Sequence, residues 1–190
     1  MIALSLVAGC DTVSTTETQP PADTLLAITN PLFTIAPTDY STLAERSINH
    51  LAAFDFSAWE ATLADDVAYD FPDGDQNTRT KLLGKATVVN WWRNFRHQSG
   101  IESMTMSEFN HFPLKVTGQA KGGASTGIYV LSYFTNALVF RGKATGVRMN
   151  FVLHFNAEKK IDRYVTYYDR TPIIAAMGGR NLLAEVKLKK

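Results

Sequence analysis

Residues 126–168 read TGIYVLSYFTNALVFRGKATGVRMNFVLHFNAEKKIDRYVTYY, and this stretch decides the fold. It contains segments rich in β-branched and aromatic residues at 126–140, 145–155 and 160–168. Short breaks separate them at Arg141-Gly142-Lys143 and at 156–159. Consecutive strands with such short connections pair as antiparallel hairpins. A similar segment at 103–116 comes before a glycine-rich break, so the sequence predicts a meander of long strands.

The apolar pattern upstream of these strands is helical. Thr42-Leu43-Ala44-Glu45 matches a capping box. A first helical face is formed by Tyr40, Ala44, Ile48 and Leu51. We also predict a second short helix that contains residues 56–63, a short strand at 67–71 and a third helix over 84–97, where Val88, Trp92 and Phe95 share a face. Helices followed by strands predict an α+β domain, with the helices packed on one face of a bent sheet.

Three local patterns resemble one known superfamily. Trp59 followed by Leu63-Ala64-Asp65-Asp66-Val67 resembles its lead into the first strand, and Gly84 followed by Val88 and the Trp91-Trp92 pair resembles the opening of its third helix. Residues 160–169, KIDRYVTYYD, resemble its closing strand. In this order and spacing the patterns resemble the nuclear transport factor 2-like superfamily, with its SnoaL-like and ketosteroid-isomerase-like domains. The likeness covers about residues 40–177.

The resemblance implies a cone-shaped fold with three N-terminal helices packed on a curved antiparallel sheet. It implies a mostly apolar pocket that opens at one end of the cone, and a homodimer formed through the sheet. The superfamily includes isomerases, cyclases, dehydratases and epoxide hydrolases, so the fold alone does not identify a reaction.

The first residues resemble a bacterial lipoprotein signal. An uncharged apolar run ends in Leu6-Val7-Ala8-Gly9-Cys10, a lipobox-like sequence, although no Lys or Arg precedes the run. Residues 11–23 are polar and rich in Thr, as expected for a tether. We therefore predict a signal segment at 1–10 with lipidation of Cys10, a tether and strap at 11–37, the domain at 38–177 and a C-terminal tail at 178–190. The expected location is the bacterial cell envelope, where a lipid anchor holds the domain at the periplasmic or outer face.

Composition and motifs argue against several function classes. The formal net charge of +1 gives no basic surface for nucleic acid. The single cysteine excludes a multi-cysteine zinc site, and we predict no metal. The sequence has no phosphate loop, no dinucleotide fingerprint and no Gly-x-Ser-x-Gly, so we predict no cofactor.

One predicted strand carries a row of polar side chains. Strand side chains alternate between faces, so Arg148, Asn150 and His154 lie in one row and the apolar odd-numbered residues of 147–155 lie in the other. The polar row either faces solvent, with the odd row as core, or lines a polar pocket. In the second case these three residues and Asp169 are the candidate catalytic groups. Asp169 has a structural alternative, since it could cap the turn before Thr171-Pro172.

Four aromatic residues are candidates for ligand contacts. Tyr69, Trp92, Tyr164 and Tyr168 combine a large apolar body with a polar tip, which suits a pocket wall. The same residue types also suit sheet packing or a dimer face.

Two functions remain open from the sequence. The first is an envelope-anchored SnoaL-like domain that binds a small apolar or aromatic molecule. The second is an isomerase, dehydratase or cyclase with a pocket His or Asp as general acid–base. Epoxide hydrolysis is disfavoured, because Asn150 and Thr166 stand where epoxide hydrolases of this fold carry carboxylates.

Overall fold

The computed structural model describes residues 32–72, 80–118 and 125–183. Within these ranges the helices are α1 (Asp39–Ala52), α2 (Phe56–Glu60), α3 (Lys85–Gln98) and α4 (Thr171–Ala176). The strands are β1 (Phe33–Ile35), β2 (Leu63–Asp70), β3 (Lys81–Leu83), β4 (Ile101–Val116), β5 (Gly127–Phe140), β6 (Lys143–Phe155) and β7 (Ile161–Tyr168). The predicted lipidation site Cys10, the signal segment and most of the tether lie outside the described residues.

The strands form one curved sheet in the order β1-β4-β5-β6-β7-β2-β3. Strands β4 to β7 pair as successive antiparallel neighbours, which confirms the predicted meander. The prediction of a wholly antiparallel sheet is wrong, because β2 runs parallel to β7. That pairing joins segments more than ninety residues apart in the chain, and local alternation carries no information about such a partner.

Two local features shape the long strands. The β5–β6 hairpin closes with Arg141 (φ 48°) and Gly142 (φ 76°) between the paired residues Phe140 and Lys143. Two consecutive left-handed residues fit the twist of a tight hairpin. In β4 the register with β5 shifts between Ser107 and Asn110, and Glu108 has φ 57°. Such a bulge bends a strand, so it contributes to the curvature of the sheet around the helices.

The helices bury the apolar faces that the sequence predicts. In α1 Ala44, Ile48 and Leu51 are fully buried, and in α3 Val88, Trp92 and Phe95 join the same core. The predicted order of helix, short helix, strand and helix is observed as α1, α2, β2 and α3, with the additional short strands β1 and β3 and a fourth helix, α4, after the last strand. No helix in the described ranges has the length and hydrophobicity needed to cross a membrane.

Candidate functional site

An apolar cavity lies between α3, the helix-facing side of the sheet and the C-terminal segment. Its lining residues are Trp91, Trp92, Phe95, Met104, Asn136, Leu138, Met149, Tyr168, Arg170, Ile173, Met177, Leu182 and Leu183. Space for the centres of water molecules amounts to about 40 Å³. That is room for roughly three waters, whereas pockets for drug-sized ligands measure about 300–1,000 Å³. A ligand larger than this can therefore bind only if the residues that line the cavity move.

Polar atoms without partners are concentrated around this cavity. Among the described residues, the buried side-chain atoms that lack a hydrogen bond are Tyr69 Oη, Trp92 Nε1 and Asn136 Oδ1. Trp92 is 7% exposed and Asn136 is 1% exposed, and both line the cavity. Tyr69 packs edge-on against Trp92 with ring centroids 5.9 Å apart. Buried polar groups almost always have a partner, so these atoms point to a bound water or ligand.

Tyr69 presents a neutral hydroxyl to this region. Burial is the largest cause that raises the pKa of the Tyr69 phenol well above its ordinary value, followed by the nearby Tyr168 and Tyr164 hydroxyls. The side chains of Thr166 and Trp92 act in the opposite direction, although neither reaches hydrogen-bonding geometry with Tyr69 Oη. The group therefore keeps its proton at neutral pH and can donate a hydrogen bond.

The predicted aromatic contacts are only partly brought together. Trp92 and Tyr168 line the cavity, and Tyr69 lies directly behind Trp92. The expectation that Tyr164 forms part of the pocket wall is wrong, because its ring is fully buried in the core. Its hydroxyl lies 2.6 Å from Ser47 Oγ and accepts a hydrogen bond from Trp59 Nε1 at 3.3 Å. Burial still raises the pKa of Tyr164 to about 12.

The polar row of β6 lies on the face of the sheet that points away from the helices. The odd-numbered residues 147–155 are all buried against the helices, while Arg148 is exposed and Asn150 and His154 are half-buried. The interpretation that this row lines a pocket beneath the helices is therefore wrong, and Arg148 and Asn150 border the open groove on the outer face instead. The physical reason is that the helices require an apolar partner surface, and the odd row supplies it.

His154 takes part in a structural contact on that outer face. Its Nδ1 lies 2.5 Å from Asp162 Oδ1, and its Nε2 lies 3.2 Å from the carbonyl oxygen of Thr126. Both ring nitrogens are thus engaged, and neither points towards the cavity. The contact also explains Gly127, since a Cβ there would lie 2.3 Å from His154 Nε2.

Asp169 caps a turn, which corrects its candidate role as a catalytic acid. Its Oδ1 accepts a hydrogen bond of 2.8 Å from the Thr171 backbone N–H, at the start of α4. This backbone hydrogen bond is the largest cause that lowers the pKa of the exposed carboxyl. Asp70, the last residue of β2, accepts a hydrogen bond from Arg163 Nε at 3.1 Å and lies 3.3 Å from Lys81 Nζ.

A second histidine forms a chain that sequence reasoning missed. His111 Nδ1 lies 2.9 Å from Ser132 Oγ, and His111 Nε2 lies 3.2 Å from Glu45 Oε2. The order resembles a nucleophile, a base and an orienting acid. Ser132 is fully buried and does not border the apolar cavity, so the chain connects α1 to the sheet. Across the described ranges, no group of three His, Cys, Asp or Glu side chains could hold a metal ion.

Asn136 was also missed, although a signal was present. The other core-facing residues of β5 are Val130, Ser132, Phe134, Leu138 and Phe140. An amide in this largely apolar row is unusual, because burying it without a partner is unfavourable.

The C-terminal segment forms one wall of the cavity. Ile173 and Met177 come from α4 and its end, and Leu182 and Leu183 follow after the turn at Gly178-Gly179. Arg170 Nη2 donates to Asn181 Oδ1 at 2.5 Å, and Arg180 Nη1 donates to the Gln98 carbonyl oxygen at 2.9 Å. This wall is therefore held by a few polar contacts and not by strand pairing.

The outer face of the sheet carries a separate, open groove of about 810 Å³. Its lining includes Glu108, Tyr133, Arg148, Asn150 and Tyr167. Tyr133, Asn150 and Tyr167 are neighbours across β5, β6 and β7, and the two tyrosines are 47% and 55% exposed. Exposed Tyr and Arg side chains on one face are typical of interaction surfaces.

Comparison with known proteins identifies the fold. No protein-family model matches the sequence, and no curated protein matches it. A proposed polyketide cyclase from Xanthomonas campestris is 16% identical with a TM-score of 0.55, over 73% of this chain and 96% of that one. A proposed isomerase from Bacillus subtilis is 17% identical with a TM-score of 0.53, over 75% and 98%. A proposed SnoaL-like polyketide cyclase from Shewanella denitrificans is 13% identical with a TM-score of 0.51, over 76% and 100%.

These similarities show that the chain shares its fold with these solved structures, one of which is a proposed SnoaL-like polyketide cyclase. Identities of this size establish the fold and leave the activity open.

Proposed function

We propose that this protein is an envelope-anchored SnoaL-like domain that binds a small apolar or aromatic molecule in the cavity beside α3. The supporting observation is that Trp92 Nε1 and Asn136 Oδ1 are buried without partners in an otherwise apolar lining. A ligand that meets them relieves an unfavourable burial of about 1–3 kcal/mol for each group. Apolar walls with a few polar groups are the usual composition of small-molecule sites.

Binding is favoured over catalysis by the chemistry of the lining. Within the described residues, the cavity wall contains no histidine and no carboxylate. An isomerase, dehydratase or cyclase needs a group that takes up and releases a proton near neutral pH. Tyr69, with its raised pKa, holds its proton too firmly to act as that base. The alternative of an acid–base enzyme is supported only by the names of its structural relatives.

Access to the cavity requires displacement of its C-terminal wall. The space of about 40 Å³ is too small for an aromatic ring. The segment from Arg170 to Leu183 joins the lining without strand pairing, and its helix α4 has only six residues. We therefore propose that a ligand enters when this segment moves outward.

The binding proposal is tested with toluene as an apolar aromatic probe. In an NMR titration, toluene should shift the indole N–H resonance of Trp92, assigned with Trp92→Phe. The control is Leu138→Trp, which fills the cavity and should abolish the shift while the far-ultraviolet spectrum stays unchanged. If neither toluene nor phenol, each up to its solubility limit, shifts a resonance of a cavity residue, the binding proposal is wrong.

The envelope anchor rests on Cys10 and the following polar residues. We propose that lipidation of Cys10 holds the domain at a membrane. Expressed in a bacterial host behind a complete signal sequence, the parent should appear in the membrane fraction and Cys10→Ser in the soluble fraction. Identical fractionation of the two proteins would contradict the anchor.

The outer groove suits a second copy of this chain. Glu108 Oε2 accepts a hydrogen bond of 2.6 Å from Thr135, whose cross-strand neighbour is Arg148. No described residue forms an ion pair with Arg148. A two-fold interface uses the same patch on both copies, and this groove offers Glu108 and Arg148 as groups of opposite charge. Sedimentation should show a dimer that Tyr167→Lys converts to a monomer; a monomeric parent would exclude this interface.

A further inference from the structure

We infer that the cavity selects an uncharged molecule with a hydroxyl group over an ether or hydrocarbon of similar shape. This inference rests on the proposed binding function and specifies the class of ligand. It starts from the hydrogen-bonding capacity of two unpartnered atoms in residues that line the cavity, Trp92 Nε1 and Asn136 Oδ1.

The two groups require opposite partners. The indole Nε1–H of Trp92 can only donate a hydrogen bond, and the amide oxygen of Asn136 can only accept one. The orientation of the amide is set by its other end, because Asn136 Nδ2 donates to Met149 Sδ at 3.7 Å. A reversed amide would place its oxygen against the sulfur, which is itself a weak acceptor. The cavity therefore presents one donor and one acceptor.

Trp92 and Asn136 both line the same small cavity. With room for roughly three waters, the cavity allows a single polar end of a ligand to approach both. A hydroxyl group has a lone pair for Trp92 and a proton for Asn136. An ether oxygen satisfies Trp92 but leaves the Asn136 oxygen without a partner, and a hydrocarbon leaves both groups without one. A site built to bond a hydroxyl rejects analogues that lack it, because its own polar atoms remain unpaired.

Charge excludes the remaining polar ligands. A carboxylate would place its negative charge beside the Asn136 carbonyl oxygen. The guanidinium of Arg170, the charged side chain in the lining, is bonded to Asn181. An ammonium group has no lone pair for Trp92 and would meet no carboxylate in the described lining. A buried ammonium would have no counter-ion, and a carboxylate would have to compete with Asn181 for Arg170, so alcohols and phenols fit the lining best.

The apolar wall of the cavity also indicates what the rest of the ligand should be. Around the two polar groups the wall consists of Trp91, Phe95, Leu138 and Met149, together with the C-terminal apolar side chains. Flat and flexible apolar surfaces of this kind accept aromatic rings, and methionine adapts to irregular shapes. Phenol is therefore the simplest probe that combines the expected polar end with the expected body.

The test compares phenol, anisole and toluene in the full chain and in Asn136→Leu, which removes the acceptor at similar size. Dissociation constants are measured by calorimetry or by NMR. In the parent, phenol should bind at least about tenfold more tightly than anisole and toluene. In Asn136→Leu this ratio should fall to near one, because the comparison across ligands and variants isolates the contact. Trp92→Phe, which removes the donor, should reduce the preference of phenol over toluene as well.

The outcomes separate the two proposals. If none of the three probes binds, the ligand-binding function is wrong, and the hydroxyl preference is wrong with it. If toluene and anisole bind as tightly as phenol, binding stands and the hydroxyl preference is overturned. The preference is also overturned if Asn136→Leu, with a thermal transition at or above that of the parent, retains the parental ratio.

Discussion

Tyr69 and Tyr164 stack with ring centroids 5.3 Å apart and an interplanar angle of 20°, yet their hydroxyl groups have opposite hydrogen-bonding states. Both side chains are fully buried. Tyr164 Oη contacts Ser47 Oγ and Trp59 Nε1, whereas no described residue forms a hydrogen bond with Tyr69 Oη. One tyrosine therefore belongs to the packing of the core, and the other has a free polar atom beside the cavity.

The two tyrosines should respond differently to removal of the hydroxyl. Tyr164→Phe should lower the free energy of unfolding by about 1–3 kcal/mol, because Ser47 and Trp59 lose a buried partner. Tyr69→Phe should change it by less than about 0.5 kcal/mol or raise it, because no bond is lost. Urea unfolding at pH 7 measures both. An equal loss in the two variants would show that Tyr69 Oη has a structural partner.

Alkaline pH should destabilise the fold through these same groups. For each tyrosine the folded-state pKa is raised above the ordinary 10.0, to about 12 for Tyr164. Above pH 10 the unfolded state loses the proton first, so stability is constant below pH 10 and falls as the pH rises towards 12. The slope should approach about 1.4 kcal/mol per pH unit for each group. Urea unfolding at pH 9, 10 and 11 should show a shallower slope in Tyr164→Phe; an unchanged slope would contradict the assignment.

The helix face of α3 should contribute strongly to stability. Phe95 is buried and packs against Trp91, Trp92 and Phe140, with centroids 5.5, 5.3 and 6.4 Å away. Phe95→Ala should cost about 3 kcal/mol, the lower end of the range for Phe, since the ring borders an existing cavity. The matched control is Phe112→Ala, which removes a ring that is 53% exposed on the outer face and should cost less than about 1 kcal/mol. Comparable losses would show that this face of α3 is not core.

Sequence patterns predicted the parts of the fold that depend on local periodicity. Alternation located β4 to β7 within two residues at each end, and the spacing of Val88, Trp92 and Phe95 identified the buried face of α3. The parallel pairing of β2 with β7 was not predictable in this way, because it depends on contacts between distant segments. The local sequence determines whether a segment forms a strand, whereas the packing of the whole core determines which strand it pairs with.

The candidate site was less accessible to sequence reasoning for a related reason. Alternation shows that Arg148, Asn150 and His154 share a face, but it does not show which face meets the helices. Asn136 was overlooked because a single amide in an apolar row looks like an ordinary strand residue. Its importance depends on the missing hydrogen bond at Oδ1, which only the three-dimensional packing reveals.

The outer row of β6 provides the last prediction, because it distinguishes a structural histidine from a catalytic one. His154 bridges Asp162 and the Thr126 carbonyl oxygen, so His154→Ala should lower the free energy of unfolding by about 1–3 kcal/mol. Arg148 is exposed and forms no ion pair with a described residue, so Arg148→Met should change stability by less than about 0.5 kcal/mol. Neither variant should alter the dissociation constant of phenol or toluene, because both side chains lie on the opposite face of the sheet from the cavity. Urea unfolding and an NMR titration measure the two quantities separately. If either variant kept its stability but bound the probes several-fold more weakly, the substituted residue would belong to the binding site, and its assignment to the outer face would be wrong.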